Sequence, residues 1–249
     1  MTTRTVETSP QLYARVAGVL YLYIIVAGTF AELFVRSQLV VSGDATATAS
    51  NIISNESLFR IGFSGELLHL ACDVVVAVIL YALFRPVDRN ISLLAAFMRM
   101  ACDIILAVAS LSHFVALKLL GDSDYMKAFQ PDQLHTLALL AMKLHGDVYA
   151  ISLVFFSFAC LSLGYLIFRS SYFPRAIGVL LVIAGVCYFV QTFAHFLNPE
   201  FAATLFPAIF IPIFVAELSL TLWLIVKGIN VPKYQERISA SMSIDNVNI

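Results

Sequence analysis

Long apolar stretches separated by short polar ones dominate the chain. Apolar residues run almost without interruption through 16–35, 61–84, 91–117, 136–168, 176–197 and 205–226. Each run reaches the ~20 residues with which an α-helix crosses a hydrocarbon core of ~30 Å. Hydrocarbon cannot satisfy open backbone groups, so helices are forced, and the roughly ten-residue alternation of a membrane barrel is missing. The pattern predicts an all-α fold: a polytopic membrane helical bundle with six transmembrane helices. They form one domain over residues 1–229, with a polar, mobile cytoplasmic tail over 230–249. The fourth run is longer than a bilayer needs, so that helix tilts, projects or starts late. The first run begins after Arg15 and outlasts the 7–15-residue core of a signal peptide, so it reads as a retained helix.

Two connections between the runs are substantial. Residues 37–59 contain Gly43-Asp44, a helix N-cap signal, then an Ala/Thr-rich stretch and Ile52, Ile53, Leu58 and Phe59. A short helix at the membrane interface is expected there, either as a covered connection or as a lid over an outward cavity. Residues 121–135 are polar, contain Pro131, and read as a loop. Pro207 and Pro212 fall in the last run and should loosen it, as broken helices do in carriers.

Basic residues set the orientation. Arg4 and Arg15 flank the first run; Arg85 and Arg89, then Arg169 and Arg175, lie in alternate turns, and Lys227, Lys233 and Arg237 follow the last run. On the other side Arg36, Arg60, Lys118 and Lys127 are diluted by Asp44, Glu56, Asp122, Asp124, Asp132 and Glu200. Both the N and C termini are therefore expected to be cytoplasmic. A faint internal echo, Arg15-Val-Ala-Gly-Val-Leu20 with Arg175-Ala-Ile-Gly-Val-Leu180 and Tyr81-Ala-Leu-Phe-Arg85 with Tyr165-Leu-Ile-Phe-Arg169, fits hairpin duplication or shared interface anchoring.

Composition narrows the partners. Of 249 residues 60% are hydrophobic and 12% charged, about half the ~25% charged share of a soluble domain. A net charge of -1 supplies no basic face, which excludes nucleic acid as a partner. The expected partners are the lipid bilayer and a small or lipid-like ligand. Cys72, Cys102, Cys160 and Cys187 all lie in apolar runs without a C-x-x-C pair and read as small buried hydrophobes. The sequons at Asn55 and Asn90 matter only in a secretory eukaryotic setting.

Polar residues inside the spans carry the chemistry, because an ionised group at mid-membrane costs ~2.5–3.5 kcal/mol on insertion scales. The set is Glu32, Glu66, Asp73, Arg99, Asp103, Lys143, Asp147 and Glu217, with His69, His113, His145 and His195. Glu66, His69 and Asp73 share one face of the second span at i, i+3 and i+7. Arg99 with Asp103, and Lys143 with Asp147, sit at i, i+4 and are candidate structural ion pairs; Gln191 and His195 have the same spacing. Six carboxylates facing two cations leave an acidic excess that must be protonated, hydrated, paired with histidine or bound to a cation.

Glu66, His69, Asp73, Asp103, Asp147, Gln191, His195 and Glu217 are thus the candidate ligand- or proton-binding residues, lining a polar cavity in the outer half of the membrane. This predicts a protein that binds or conducts a small or lipid-like ligand. The alternative is an intramembrane metal-dependent hydrolase, with His69, His145, His195 and Glu66 or Asp147 holding a divalent metal such as zinc. No H-E-x-x-H occurs, and no two histidines share an i, i+4 face. A buried polar network that only fixes helix packing, and a bis-histidine haem between His69 and His145 or His195, are further readings. No G-x-S-x-G, phosphate loop, Rossmann fingerprint or c-type haem motif is present.

Six segments stand out: Arg15-Val-Ala-Gly-Val-Leu-Tyr21, Gly43-Asp-Ala-Thr-Ala-Thr-Ala49 leading through Asn51-Ile52 to Leu58-Phe59-Arg60, Leu83-Phe-Arg-Pro-Val87, Leu144-His-Gly-Asp147, Leu163-Gly-Tyr-Leu-Ile-Phe-Arg169 and Tyr172-Phe-Pro-Arg-Ala-Ile-Gly-Val-Leu180. Together they resemble the bacterial integral membrane protein family catalogued as domain of unknown function 4386. The resemblance runs from about Arg15 to Gly228. It implies a bacterial cytoplasmic (inner) membrane location and the six-span layout, and it brings no activity and no catalytic residue.

Overall fold

The computed structural model describes residues 9–121 and 124–247. Arg4 and Asp122, counted above in the charge pattern, lie outside them. The helices are α1 (Pro10–Leu39), α2 (Ala45–Ser54), α3 (Glu56–Phe84), α4 (Arg89–Leu119), α5 (Pro131–Arg169), α6 (Arg175–Leu197), α7 (Pro199–Leu205), α8 (Phe210–Val226) and α9 (Val231–Val247). No strand occurs among the described residues. Helices α1, α3, α4, α5 and α6 are each long and apolar enough to cross a membrane, and α7 with α8, bent by 56°, makes a sixth crossing when the pair counts as one span. Their outer faces carry large exposed apolar side chains such as Phe97, Ile104, Ile211 and Val226, which suit lipid rather than water. The protein is a multi-pass, all-α membrane bundle.

The last span is broken where its prolines predict loosening, at Pro207 rather than Pro212. Pro207 cannot donate to the helical ladder and pushes the residue before it out of the helical region. Phe206 accordingly adopts φ -78° and ψ 138°, ending α7, and α8 starts at Phe210. Pro212 sits in the first turn of α8, where a missing N–H is tolerated. In α1 the ladder loosens into a π-helical stretch over Ala31–Arg36 before closing at Leu39.

The chain divides into two compact units, one of Met1–Leu22, Val74–Met100 and Val154–Ile249, the other of Tyr23–Asp73 and Ala101–Leu153. In the first unit α5 and α6 approach through Gly164 and Gly178: a Cβ on Gly164 would lie 2.7 Å from the Gly178 carbonyl oxygen. Lipid gives helices no hydrophobic reason to associate, so such close small-residue packing supplies the contact energy. The Tyr172 hydroxyl donates to the Leu83 carbonyl at 2.7 Å, and its ring meets Tyr234 of α9 edge-on at 5.3 Å. The segment that polarity marked as a tail is therefore helical over Val231–Val247, with Tyr234 buried and Arg237 donating to the Val87 carbonyl at 3.2 Å.

The second unit has its own core. Val35, Leu39, Ile52, Phe59, Ala116, Ala138, Ala141 and Met142 form one buried cluster drawn from α1 through α5. Asp44 caps α2 as its spacing predicts, accepting the Ala47 N–H at 2.8 Å, and Thr48, Ala49 and Ile52 turn that helix into the core. Gly62 lets α3 close on Val35, where a Cβ would meet Cγ2 at 2.9 Å.

A buried glutamate between two stacked histidines: the candidate functional site

Three spans of the second unit bring one polar side chain each to a common point. Glu66 stands on α3, one residue beyond Gly65, whose carbonyl accepts the Tyr23 hydroxyl at 3.2 Å. His113 stands on α4 beside Ala116, and His145 on α5 beside Ala141; these alanines keep the two helices slim enough for the rings to meet. His113 Nδ1 lies 3.1 Å from Glu66 Oε2, and His145 Nε2 lies 3.0 Å from Glu66 Oε1. The imidazoles stack with centroids 4.0 Å apart and planes 9° from parallel. Phe59 meets His113 edge-on at 5.3 Å, and Tyr149 lies parallel to His145 at 6.4 Å. Glu66, His113 and His145 are 7%, 3% and 1% exposed, so the cluster is shut off within the unit.

With both rings neutral, hydrogen-bond accounting sets the tautomers. A neutral imidazole has one N–H. For both rings to donate to the carboxylate, His113 must carry its hydrogen on Nδ1 and His145 on Nε2. The opposite nitrogens, His113 Nε2 and His145 Nδ1, are then lone-pair acceptors, and both are buried without a hydrogen-bond partner. Leaving a polar atom in that state costs ~1–3 kcal/mol. One O or N donor atom from each of Glu66, His113 and His145 lies within 4.8 Å of the others. Among the described residues this trio is the group of metal-ligand side chains brought so close.

The other sequence candidates are distributed differently. Asp73 and Asp103 are buried in the second unit, while Lys143 and Asp147 are exposed on α5. His69 is half-buried, its ring 4.0 Å from the space a Cβ on Gly28 would fill. In the first unit the buried Arg99 guanidinium lies over Tyr21 at 4.6 Å and near Phe156 at 5.1 Å, a cation held between aromatic faces. There too Tyr188 donates to Glu217 at 2.7 Å, the Gln191 carbonyl oxygen is buried without a partner, and His195 meets Phe196 edge-on at 4.9 Å. Glu32, counted among the carboxylates of the spans, is exposed and accepts from Arg36 at 2.7 Å, because α1 runs on to Leu39 and takes in a cation assigned to the loop. Of the set His69, His145, His195 and Glu66, the second unit brings Glu66 and His145 together, with His113 as the third member.

His113 joins this cluster although helical spacing does not single it out. None of its i±3, i±4 or i±7 neighbours titrates, so that spacing gives no signal. Depth does: His113 lies 24 residues from Arg89 at the start of α4, and His145 lies 24 residues from Arg169 at the end of α5. In neighbouring antiparallel spans that equality puts the two rings at one level.

No solved structure matches the chain. A protein of Archaeoglobus fulgidus described as uncharacterized is 26% identical over 164 residues, which cover 66% of this chain and 82% of that protein. The family described as Domain of unknown function (DUF4386) matches residues 16–228, and the chain is a member of that family.

Proposed function

We propose that this protein binds or conducts a small ligand within the membrane, and that Glu66, His113 and His145 are the centre that holds it. The observation that carries the reading is the pair of buried imidazole nitrogens, His113 Nε2 and His145 Nδ1, left without partners on an otherwise hydrogen-bonded trio. Polar capacity that the protein does not use inside an apolar bundle is what a ligand completes. The charge pattern supports placement in the cytoplasmic membrane with both termini inside, and a centre toward the outer side. The apolar surroundings favour a small or lipid-like ligand, or an ion that exchanges its water for imidazole and carboxylate ligands.

A second reading, an intramembrane metal-dependent hydrolase, is favoured by one observation: the trio is two imidazoles and one carboxylate, a donor set of hydrolytic metal enzymes. The test of the first reading is ligand-induced thermal stabilisation of the detergent-purified protein across lipids and small amphiphiles. A stabilising compound whose effect disappears in Glu66→Gln supports the centre; stabilisation identical in Glu66→Gln and His145→Gln removes it.

A further inference from the structure

We infer that the ligand of this centre is a divalent first-row transition-metal ion of the zinc type, held by the Glu66 carboxylate, His113 Nδ1 and His145 Nε2. The inference rests on reading the trio as a ligand-binding centre, and it names what that centre takes.

Donor chemistry selects the ion class. Two imidazoles and a carboxylate suit zinc and its first-row neighbours, whereas calcium and magnesium call for oxygen ligands. Spacing is within reach. With metal–ligand bonds of ~2.0–2.2 Å, tetrahedral donors stand ~3.4 Å apart. Each histidine lies 3.0 to 3.1 Å from a different oxygen of Glu66, and one donor atom from each residue falls within 4.8 Å of the others, so the three start close to one another but not yet around a common point. Each ligand comes from a different long helix, so the site rests on rigid elements rather than a loop. Arg36 of α1, a cation of the same unit, is paired to Glu32 at 2.7 Å, which offsets its repulsion of an ion.

The present geometry also states what loading requires. A metal lies near the plane of each imidazole it binds, along the nitrogen lone pair. Two rings 9° from parallel with centroids 4.0 Å apart have no common in-plane point between them. One ring must therefore turn out of the stack. Phe59 packs against His113 at 5.3 Å, while Tyr149 stands farther from His145, at 6.4 Å, so the turn is assigned to His145. Loading replaces the two N–H···carboxylate hydrogen bonds by metal bonds. His113 Nε2 and His145 Nδ1, without partners in the present packing, then carry the hydrogens, so loading must also bring an acceptor to each N–H.

The experiment uses the full-length, tag-free protein in detergent, stripped with chelator, desalted, and titrated with Zn²⁺ or with Co²⁺. Elemental mass spectrometry after desalting reads stoichiometry, and visible Co²⁺ absorption reads the nitrogen–oxygen ligand field. About one equivalent per chain should be retained. Losing a supporting residue alone weakens metal ~10–100-fold, and losing a ligand weakens it at least as much. Glu66→Gln, His113→Gln and His145→Gln should each show that loss, and His69→Gln should not. Glutamine keeps side-chain length and hydrogen bonding, so an unchanged size-exclusion profile separates lost binding from lost folding. No saturable binding in the unaltered protein overturns the inference, and the ligand-centre reading survives if amphiphile stabilisation still depends on Glu66. Binding that persists in all three glutamine variants overturns the metal site at the trio. Amphiphile stabilisation that is also unchanged in those variants overturns the ligand-centre reading as well.

Discussion

His113 and His145 lie face to face, 4.0 Å between ring centroids, although 32 residues and a polar loop separate them in the chain. The stack and the shared carboxylate fix each other. Glu66 spans the two rings with its two oxygens, so each ring is oriented by a hydrogen bond and by its neighbour's face. Removing the ring and removing the bond should therefore differ. His113→Phe keeps an aromatic face on His145 and against Phe59 and loses only the bond to Glu66. His113→Ala loses both and leaves a hole. The expected costs are about 1 kcal/mol for phenylalanine and about 2–4 kcal/mol for alanine. Unfolding midpoints in one detergent would show the order; equal midpoints would mean the stack contributes nothing.

What the sequence revealed of this fold follows from what is local. Span number, the Asp44 cap and the break at Pro207 each depend on residues within one helical turn or one continuous run, and each is present. The site was half legible. Glu66 and His145 stood out because charge in an apolar run is costly wherever it lies. His113 did not, because its partners are 47 and 32 residues away and its own face is alanine and serine. Lys143 and Asp147 show what spacing leaves open: i, i+4 is the same whether a face points inward or outward, and theirs is exposed.

Glu66→Gln tests the hydrogen-bond assignment directly. A carboxylate accepts from both rings, whereas an amide presents one acceptor and one donor group. One imidazole must then change tautomer so that a lone pair meets the amide. In ¹⁵N-histidine spectra of the purified protein the substitution should move the signals of one of the two rings to the other tautomer's pattern. Unchanged spectra for both rings would show that neither is bonded to Glu66.

The crossing of α5 and α6 leaves no room for a methyl group. A Cβ on Gly178 would lie 2.6 Å from the Gly164 carbonyl oxygen and 2.8 Å from the Phe168 amide nitrogen, both backbone atoms that yield only if a helix moves. Gly178→Ala should lower stability by about 1–3 kcal/mol, the usual range for overpacking. Gly146→Ala is the matched control, since nothing lies within 4 Å of its Cβ position. Equal melting of the two variants would mean that the crossing is looser than this spacing.

Topology can be read by chemical labelling. Ser42, before α2, and Asn90, at the start of α4, are both exposed. In a background without native cysteines, Ser42→Cys should react with an impermeant maleimide from outside intact cells, and Asn90→Cys only after permeabilisation. The reverse pattern would invert the orientation that Arg85, Arg89, Arg169 and Arg175 imply.

The C-terminal helix should come away at alkaline pH. Tyr172, in the turn between α5 and α6, has its phenol pushed well above the usual tyrosine range by burial and next by Tyr234; burial pushes Tyr234 up as well. Both hydroxyls donate to carbonyl oxygens, of Leu83 and Ala82, which a phenolate could not do. A group whose folded pKa is raised holds its proton more tightly in the docked state. Its contribution is complete below the free-tyrosine value of ~10 and is lost as pH climbs past it. Proteolysis between Gly228 and Tyr234 should therefore stay slow from pH 6 to about 9 and accelerate above about 10. Tyr172→Phe removes one buried donor, worth about 1–2 kcal/mol, and should raise cleavage at neutral pH to a level that no longer depends on this titration. If that variant is cleaved no faster than the unaltered protein at pH 7, the Tyr172–Leu83 bond does not hold the helix, and docking rests on Gln11 and Arg237 instead. Gln11 bonds the Lys227 carbonyl and the Ile229 amide across the turn at Gly228, and Arg237 bonds the Val87 carbonyl. Gln11→Ala would then release the helix where Tyr172→Phe had not.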